Sequence, residues 1–234
     1  MRRRRLLLKI SGEFLSDDYG WGISEAALER LTGILTRATG QAELALVIGG
    51  GNIVRGSQMD LDHVAADQMG MLATIINGLA LQSRLEEQGI EAALQSAVPT
   101  PFTAPLDRRR ALQVLEEGGI VIFVGGTGSP FVTTGTAAAL RASEMGAELL
   151  LKGTKVDGVY TDDPQKDKAA RRLERVTYQE VITRGLGVMD LAAIDLCRRN
   201  KIPILVFNLF KEGELERAIR GEPVGTLVTS PTNL

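Results

Sequence analysis

Leu44-Ala45-Leu46-Val47-Ile48-Gly49-Gly50-Gly51-Asn52-Ile53-Val54-Arg55-Gly56 joins an unbroken apolar run to three glycines and then an arginine. A run of this length without polar alternation reads as a strand covered on both faces. Residues 6–10, 120–124, 148–152, 204–207 and 226–229 have the same character. Between these runs the apolar period changes to three and four. Leu28, Leu31, Ile34, Leu35 and Ala38 form one face of residues 25–39, and Met69, Leu72, Ala73, Ile76, Leu79 and Ala80 one face of residues 64–88. Residues 106–117, 136–145, 188–199 and 212–220 continue the alternation. Strand followed by helix, repeated, predicts an α/β fold with a mostly parallel central sheet and helices on both faces. Residues 155–177, rich in Asp, Lys and Pro, show no period and read as a long functional loop.

The chain has 234 residues, 44% of them hydrophobic, enough to bury a core without disulfide or metal staples. One domain spanning 1–234 is expected. With 27 Lys plus Arg against 29 Asp plus Glu, the net charge of -2 provides no field that would hold nucleic acid, so partners are argued from sites. A single cysteine, Cys197, fits a reducing compartment, and the cytoplasm is the expectation. Cys197 lies on an apolar-periodic helix and reads as core. The apolar run after Arg2–Arg5 is broken by Lys9, too soon for an export signal, and no stretch reads as the roughly 18 to 20 apolar residues of a membrane span. The four arginines read as a solvated tail.

Three turns at strand ends invite anions. Lys9-Ile10-Ser11-Gly12-Glu13 sets an ammonium before a small-residue turn, which suits an anion or simply a strand-end lysine reaching water. Gly49-Gly50-Gly51 lets main chain approach a ligand, Asn52 tolerates left-handed backbone, and Arg55 offers a forked donor to phosphate; the bland alternative is a tight turn beside a surface arginine. In Val124-Gly125-Gly126-Thr127-Gly128-Ser129-Pro130-Phe131-Val132-Thr133-Thr134-Gly135-Thr136, the hydroxyls of Thr127, Ser129, Thr133 and Thr134 can donate to phosphate or ribose. Phe131 packs either on a base or, the favoured reading, into the core. Such turns facing one another suggest phosphotransfer between two phosphorylated groups.

Lys9–Glu13, Gly49–Asn52 with Arg55-Gly56, Asp67-Gln68-Met69-Gly70-Met71-Leu72-Ala73-Thr74, Lys155-Val156-Asp157-Gly158-Val159-Tyr160, Val188-Met189-Asp190 and Gly225-Thr226-Leu227 together resemble the bacterial uridylate kinases of the amino acid kinase superfamily. The resemblance covers essentially the whole chain. It implies a three-layer αβα sandwich of amino acid kinase type, with UMP held by about residues 1–147 and Mg²⁺-ATP by about 148–234, assembled as a homohexamer. It also implies nucleotide effectors, GTP or UTP. By resemblance Lys9, Ser11, Gly12, Gly51 and Arg55 line the ATP phosphates, and Thr154, Tyr160 and Asp163 hold adenosine. Gly50, Asp67 and the segment Thr127, Gly128, Ser129, Pro130, Phe131, Val132, Thr133 and Thr134 hold UMP. Lys9, Arg55 and Asp190 are the catalytic candidates. Mg²⁺ is expected to ride on phosphate oxygens and water, with no metal site built by the protein.

Read without the resemblance, Asp67 is a solvated helical carboxylate, Asp190 a helix N-terminal aspartate, and Asp163 before Pro164 part of a turn. His63 has no second ligand nearby and reads as a surface residue. Tyr19 and Trp21 read as loop anchors. At position 135 the uridylate kinase pattern has an aspartate, implied to orient the lysine or the metal, where this chain has Gly135. The expectation is that phosphotransfer is weaker than in a Gly135→Asp protein. Two alternatives stay open: a superfamily kinase acting on a carboxylate or carbamate, against which Asp67-Gln68-Met69-Gly70 speaks, and a nucleotide-binding regulator or storage protein that has lost turnover.

Overall fold

The computed structural model describes residues 3–17, 20–55, 60–162 and 169–231. Its elements run β1 (Arg4–Ile10), α1 (Glu25–Ala38), β2 (Ala42–Ile48), α2 (His63–Glu87), β3 (Ala92–Ser96), β4 (Ala104–Pro105), α3 (Arg108–Glu117), β5 (Ile120–Val124) and α4 (Thr134–Met145). They continue as β6 (Leu149–Thr154), β7 (Arg175–Thr177), α5 (Tyr178–Arg184), α6 (Leu191–Arg199), β8 (Ile204–Asn208), α7 (Glu214–Ile219) and β9 (Thr226–Thr229). The strands form one sheet in the order β4-β3-β5-β2-β1-β6-β8-β9-β7, parallel except where β9 meets β8.

Alternation along each central strand divides the core in two. Leu6, Leu8 and Ile10 of β1 pack with residues of α1, α2 and α7, whereas Leu7 packs with α3, α4, α5 and α6 on the opposite face. The result is helix, sheet, helix, as expected. Helix starts follow side-chain capping: Ser24, Asp62, Asp107, Thr133, Thr177 and Asp190 each accept a first-turn amide. Gly118, Gly146 and Gly185 end α3, α4 and α5 in left-handed geometry.

Four elements lie outside the sequence expectations: β3, β4, β7 and α5. The stretch expected as loop after residue 155 carries a Tyr160–Arg172 bridge and ends in β7. Over the 25 residues of α2 a window of mean hydropathy 1.3 is long and apolar enough to cross a membrane, contrary to expectation. In the fold this helix packs on α1, β2, β3 and β5 through one face, leaving Leu72 and Ile76 exposed on another. The arginines are also not a free tail, although Arg2 lies outside the described residues. Arg3 donates to the carbonyls of Leu115 and Glu116, Arg4 to that of Ile219, and buried Arg5 to that of Met145 while pairing with Glu43 at 2.6 Å.

Candidate active site

Lys9 is the penultimate residue of β1, the central strand, and its register partner on β6 is Lys152. Both side chains emerge on the face of Leu7 and Leu150, toward the N-termini of α4 and α6. Burial pushes the Lys9 ammonium below the usual lysine value, against the pull of the Asp190 and Glu13 carboxylates. Lys152 is pushed down to about 8, first by burial and then by the Lys9 charge. Its Nζ donates to the Val188 carbonyl and, at 3.4 Å, to that of Gly187. It therefore grips the loop that delivers Asp190.

Asp190 caps α6 by accepting the Ala193 amide at 3.0 Å. Thr133 and Thr136 also donate their hydroxyls to it, at 2.5 and 2.6 Å. Burial acts to raise this carboxyl, but the hydrogen bonds from Thr133, Thr136 and Ala193 outweigh it and hold the group below the usual carboxylate range. Gly135 makes this seat possible: a Cβ there would lie 2.7 Å from Asp190 Oδ2 and 3.1 Å from Thr133 Oγ1. This geometry bears against the expectation that phosphotransfer is weaker than in a Gly135→Asp protein, because a Cβ at 135 crowds the Asp190 carboxylate.

Ser11 caps the short 3-10 turn Gly12–Leu15. Gly12 is demanded by packing, since a Cβ would sit 2.2 Å from Asn52 Oδ1. Gly50 is likewise closed by α2, with Ala73 Cβ at 2.7 Å and the Gly70 carbonyl at 2.8 Å, whereas a Cβ on Gly51 would meet nothing within 4 Å. Packing against α2 thus demands glycine at 50, and open space surrounds the same direction at 51. Asn52 is not left-handed; it is fully buried and exchanges two hydrogen bonds with Asn77, at 3.0 and 2.7 Å. Asn77 in turn donates to the Gly49 carbonyl at 2.8 Å, which fixes the glycine turn to α2. Arg55 donates to the Gly51 carbonyl at 3.1 Å, pairs with Glu13 at 3.1 Å and lies 5.4 Å above the exposed Trp21 ring. Gly56 and Tyr19 lie outside the described residues.

On the β2 and β5 side of Lys9, the turn after β5 folds over α2. Gly125 and Gly126 take positive φ, and the Gly125 amide donates to Thr74 Oγ1 at 2.7 Å. Thr127 and Ser129 bond each other, with Gly128 and Pro130 in the same partly open turn; Val132 follows, and Thr133 and Thr134 open α4. Phe131 is not core: its side chain is 69% exposed, and its amide donates to Asp67 Oδ2 at 2.6 Å. Asp67 is therefore tied to this turn rather than solvated alone. His63 is on the surface as read, yet it pairs with Asp67.

On the β6 and β8 side, Lys152, Thr154, Val156, Tyr160, Asp162 and Arg184 line a 450 Å³ cavity, of the size that takes small organic ligands. Thr154 is fixed by donating to the carbonyls of Val156 and Phe207 at 2.7 and 3.1 Å. Asp163 lies outside the described residues. The structure thus gathers Lys9, Asp190 and Thr133 directly, and sets Asp67 with 127–134 on one side and Thr154 with Tyr160 on the other.

The model of the amino acid kinase family matches residues 4–208. The chain belongs to the amino acid kinase family. Within that family it falls in the uridylate kinase group: the uridylate kinase of Magnetococcus marinus is 53% identical over 232 residues, covering 97% of this chain and 96% of the relative. The UMP kinase of Bacillus anthracis superposes with a TM-score of 0.93 at 37% identity, covering 99% of this chain and 98% of that one. That of Ureaplasma parvum gives 0.92 at 35% identity, covering 98% and 100%. Three residues packed around the candidate site were not read as part of it from the sequence. Lys152 looks like the last residue of an apolar strand, and only its register beside Lys9 reveals it. Asn77 sits mid-helix as an unexplained polar residue, and a buried amide facing a glycine turn was the available signal. His63 lies one helical turn before Asp67, which was readable.

Proposed function

We propose that the chain is a UMP kinase, passing the ATP γ-phosphate to UMP and giving UDP and ADP in pyrimidine nucleotide synthesis. The observation that carries this reading is the place of Lys9. It lies one residue from the end of the central strand, with the Asp67–Phe131 contact and the hydroxyl-rich turn 127–134 on the β2 and β5 side and the cavity lined by Thr154 and Tyr160 on the β6 and β8 side. UMP takes the first, with Gly50 at its phosphate and Asp67 at its ribose. Adenosine takes the second, with Asp163 beside it, and the ATP phosphates cross Ser11, Gly12, Gly51 and Arg55 to reach Lys9.

Phosphoryl transfer passes through a loose transition state in most analyses, so alignment and charge neutralisation matter more than a strong base. Lys9 stabilises oxygens of the transferring group, and Arg55 must exchange Glu13 for phosphate to join it. Asp190 orients Lys9. Among the described residues no three acidic, histidine or cysteine side chains cluster as a metal cage. Mg²⁺ would be carried on ATP oxygens and water, with Asp190 as the carboxylate at hand. When bound, the ion shares the charge of the phosphates.

With that carboxylate in place beside Lys9, a binding-only regulator is the disfavoured alternative. For the assembly, we read a cytoplasmic homohexamer responsive to GTP or UTP; Leu72 and Ile76, exposed one turn apart on α2, offer an apolar face for association. The experiment is ADP release with Mg²⁺-ATP and a panel of acceptors. Turnover with UMP well above CMP, AMP and dTMP is expected. A flat panel, or turnover with acetylglutamate or carbamate instead, overturns the reading.

A further inference from the structure

His63 opens α2, and contacts tie it to the acceptor end of the site. Its Nδ1 lies 3.2 Å from Asp67 Oδ2, the same oxygen that accepts the Phe131 amide at 2.6 Å. Its ring stacks on that of Phe131, centroids 4.8 Å apart and planes 22° from parallel. Phe131 has a φ of +65°, a left-handed conformation that bulky residues seldom adopt. Its ring is exposed, so burial does not hold it there. What holds it is the Asp67 carboxylate under its amide and the imidazole against its ring.

We propose that His63 is a ribose-specificity residue of the acceptor site. Together with the Phe131 amide it occupies Oδ2 of Asp67, so the carboxylate cannot swing and Oδ1 is presented to the vicinal hydroxyls of a ribonucleotide. No hydrogen-bond donor among the described residues is seen on Oδ1. The stacked pair forms a flat wall beside it. A carboxylate oxygen with free lone pairs rewards two neighbouring hydroxyls over one, so the arrangement favours a ribonucleoside monophosphate over its 2′-deoxy counterpart. This inference rests on the UMP kinase reading, and neither the resemblance nor the relatives assign His63 a part in it.

The test is calorimetric binding of UMP and dUMP to the full chain, for the wild type, His63→Ala and His63→Phe, with ADP release measured in parallel. His63→Ala should weaken UMP about tenfold, the scale of losing a polar contact that fixes a charged group, while leaving dUMP within about twofold. His63→Phe retains the stack and loses the ring nitrogen beside Oδ2, so it should share the loss of discrimination but recover part of the UMP affinity. ATP affinity and Tm should stay at wild-type values in both, which a merely structural role would not predict. An unchanged UMP-to-dUMP affinity ratio in His63→Ala overturns the proposal whether or not the wild type turns over. Absent turnover with that ratio altered would sink the kinase reading and leave the His63 assignment standing.

Discussion

Gly135 matters through the atom it lacks. Its open side lets Asp190 settle between Thr133 and Thr136, and any side chain there contests that seat. Gly135→Ala should therefore fold and lose activity, about tenfold or more in kcat, because hydrogen-bonded orientation of a charged group is worth that much. Gly135→Asp should also fall below wild type, since it sets a second carboxylate against the first; a rise in kcat would show that Asp190 can move aside. Lys152 supports a prediction with a definite sign. Its folded value of about 8 lies below the 10.5 of a free lysine, so between those values the unfolded chain holds the proton more tightly and unfolding takes one up. Raising the pH from about 8 toward 10 should thus increase the Tm of the ligand-free protein, with Lys9 acting in the same direction. Lys152→Met should flatten that slope and raise Tm at neutral pH, while kcat drops on the order of a hundredfold as the loop before Asp190 loosens and a cation leaves the phosphates. A pH-independent Tm difference between the two proteins would contradict the assignment.

At the scale of elements, the start of β1 closes three helices. Arg3 reaches the C-terminal carbonyls of α3, Arg5 that of α4 and Arg4 that of α7, each placing a cation where a helix end is electronegative. Of the ion pairs these arginines make among the described residues, only Arg5–Glu43 is buried on both sides, and removing one partner of such a pair leaves an uncompensated charge. Arg5→Ala should cost about 3–5 kcal/mol in urea unfolding, and Arg3→Ala under about 1. Equal losses would mean that burial is not the deciding factor. These arginines also show where sequence reading stops. A run of four basic residues resembles a tail until the helix ends that receive them are in place, and those ends come from residues 115–219. The central strands were legible because both faces are apolar. β3 was not, because it ends in Gln95 and Ser96, and Gln95 is satisfied only by exchanging bonds with the main chain of Asp107 at 2.9 and 3.1 Å. Strands β4 and β7, of two and three residues, are too short for a period to show. α5 was readable through its capping box, Thr177 with Glu180 three residues on.

For the whole molecule, the parallel sheet brings the ends of β1, β2, β5 and β6 to one edge, and every turn that the glycines, Lys9 and the threonines predicted lies there. That much follows from residue order. The pairing of Lys9 with Lys152, the Thr133–Asp190–Thr136 bonds and the Asp67–Phe131 bond each join residues 54 to 143 positions apart, and such contacts carry no local signal. The buried thiol of Cys197, pushed up to about 12 by burial and the Asp190 charge, reports on the integrity of the same region. It should stay unreactive toward iodoacetamide in the native protein and react on unfolding; rapid native labelling would show that the α4–α6 face opens. The central claim is that Lys9 serves the transfer step. Its most direct test is single-turnover UDP formation by wild type and Lys9→Met, with UMP binding measured on both. The account predicts UMP affinity within about twofold and transfer slowed at least a hundredfold, the scale set by losing one preorganised charge at a transferring group. Transfer at the wild-type rate in Lys9→Met would contradict it.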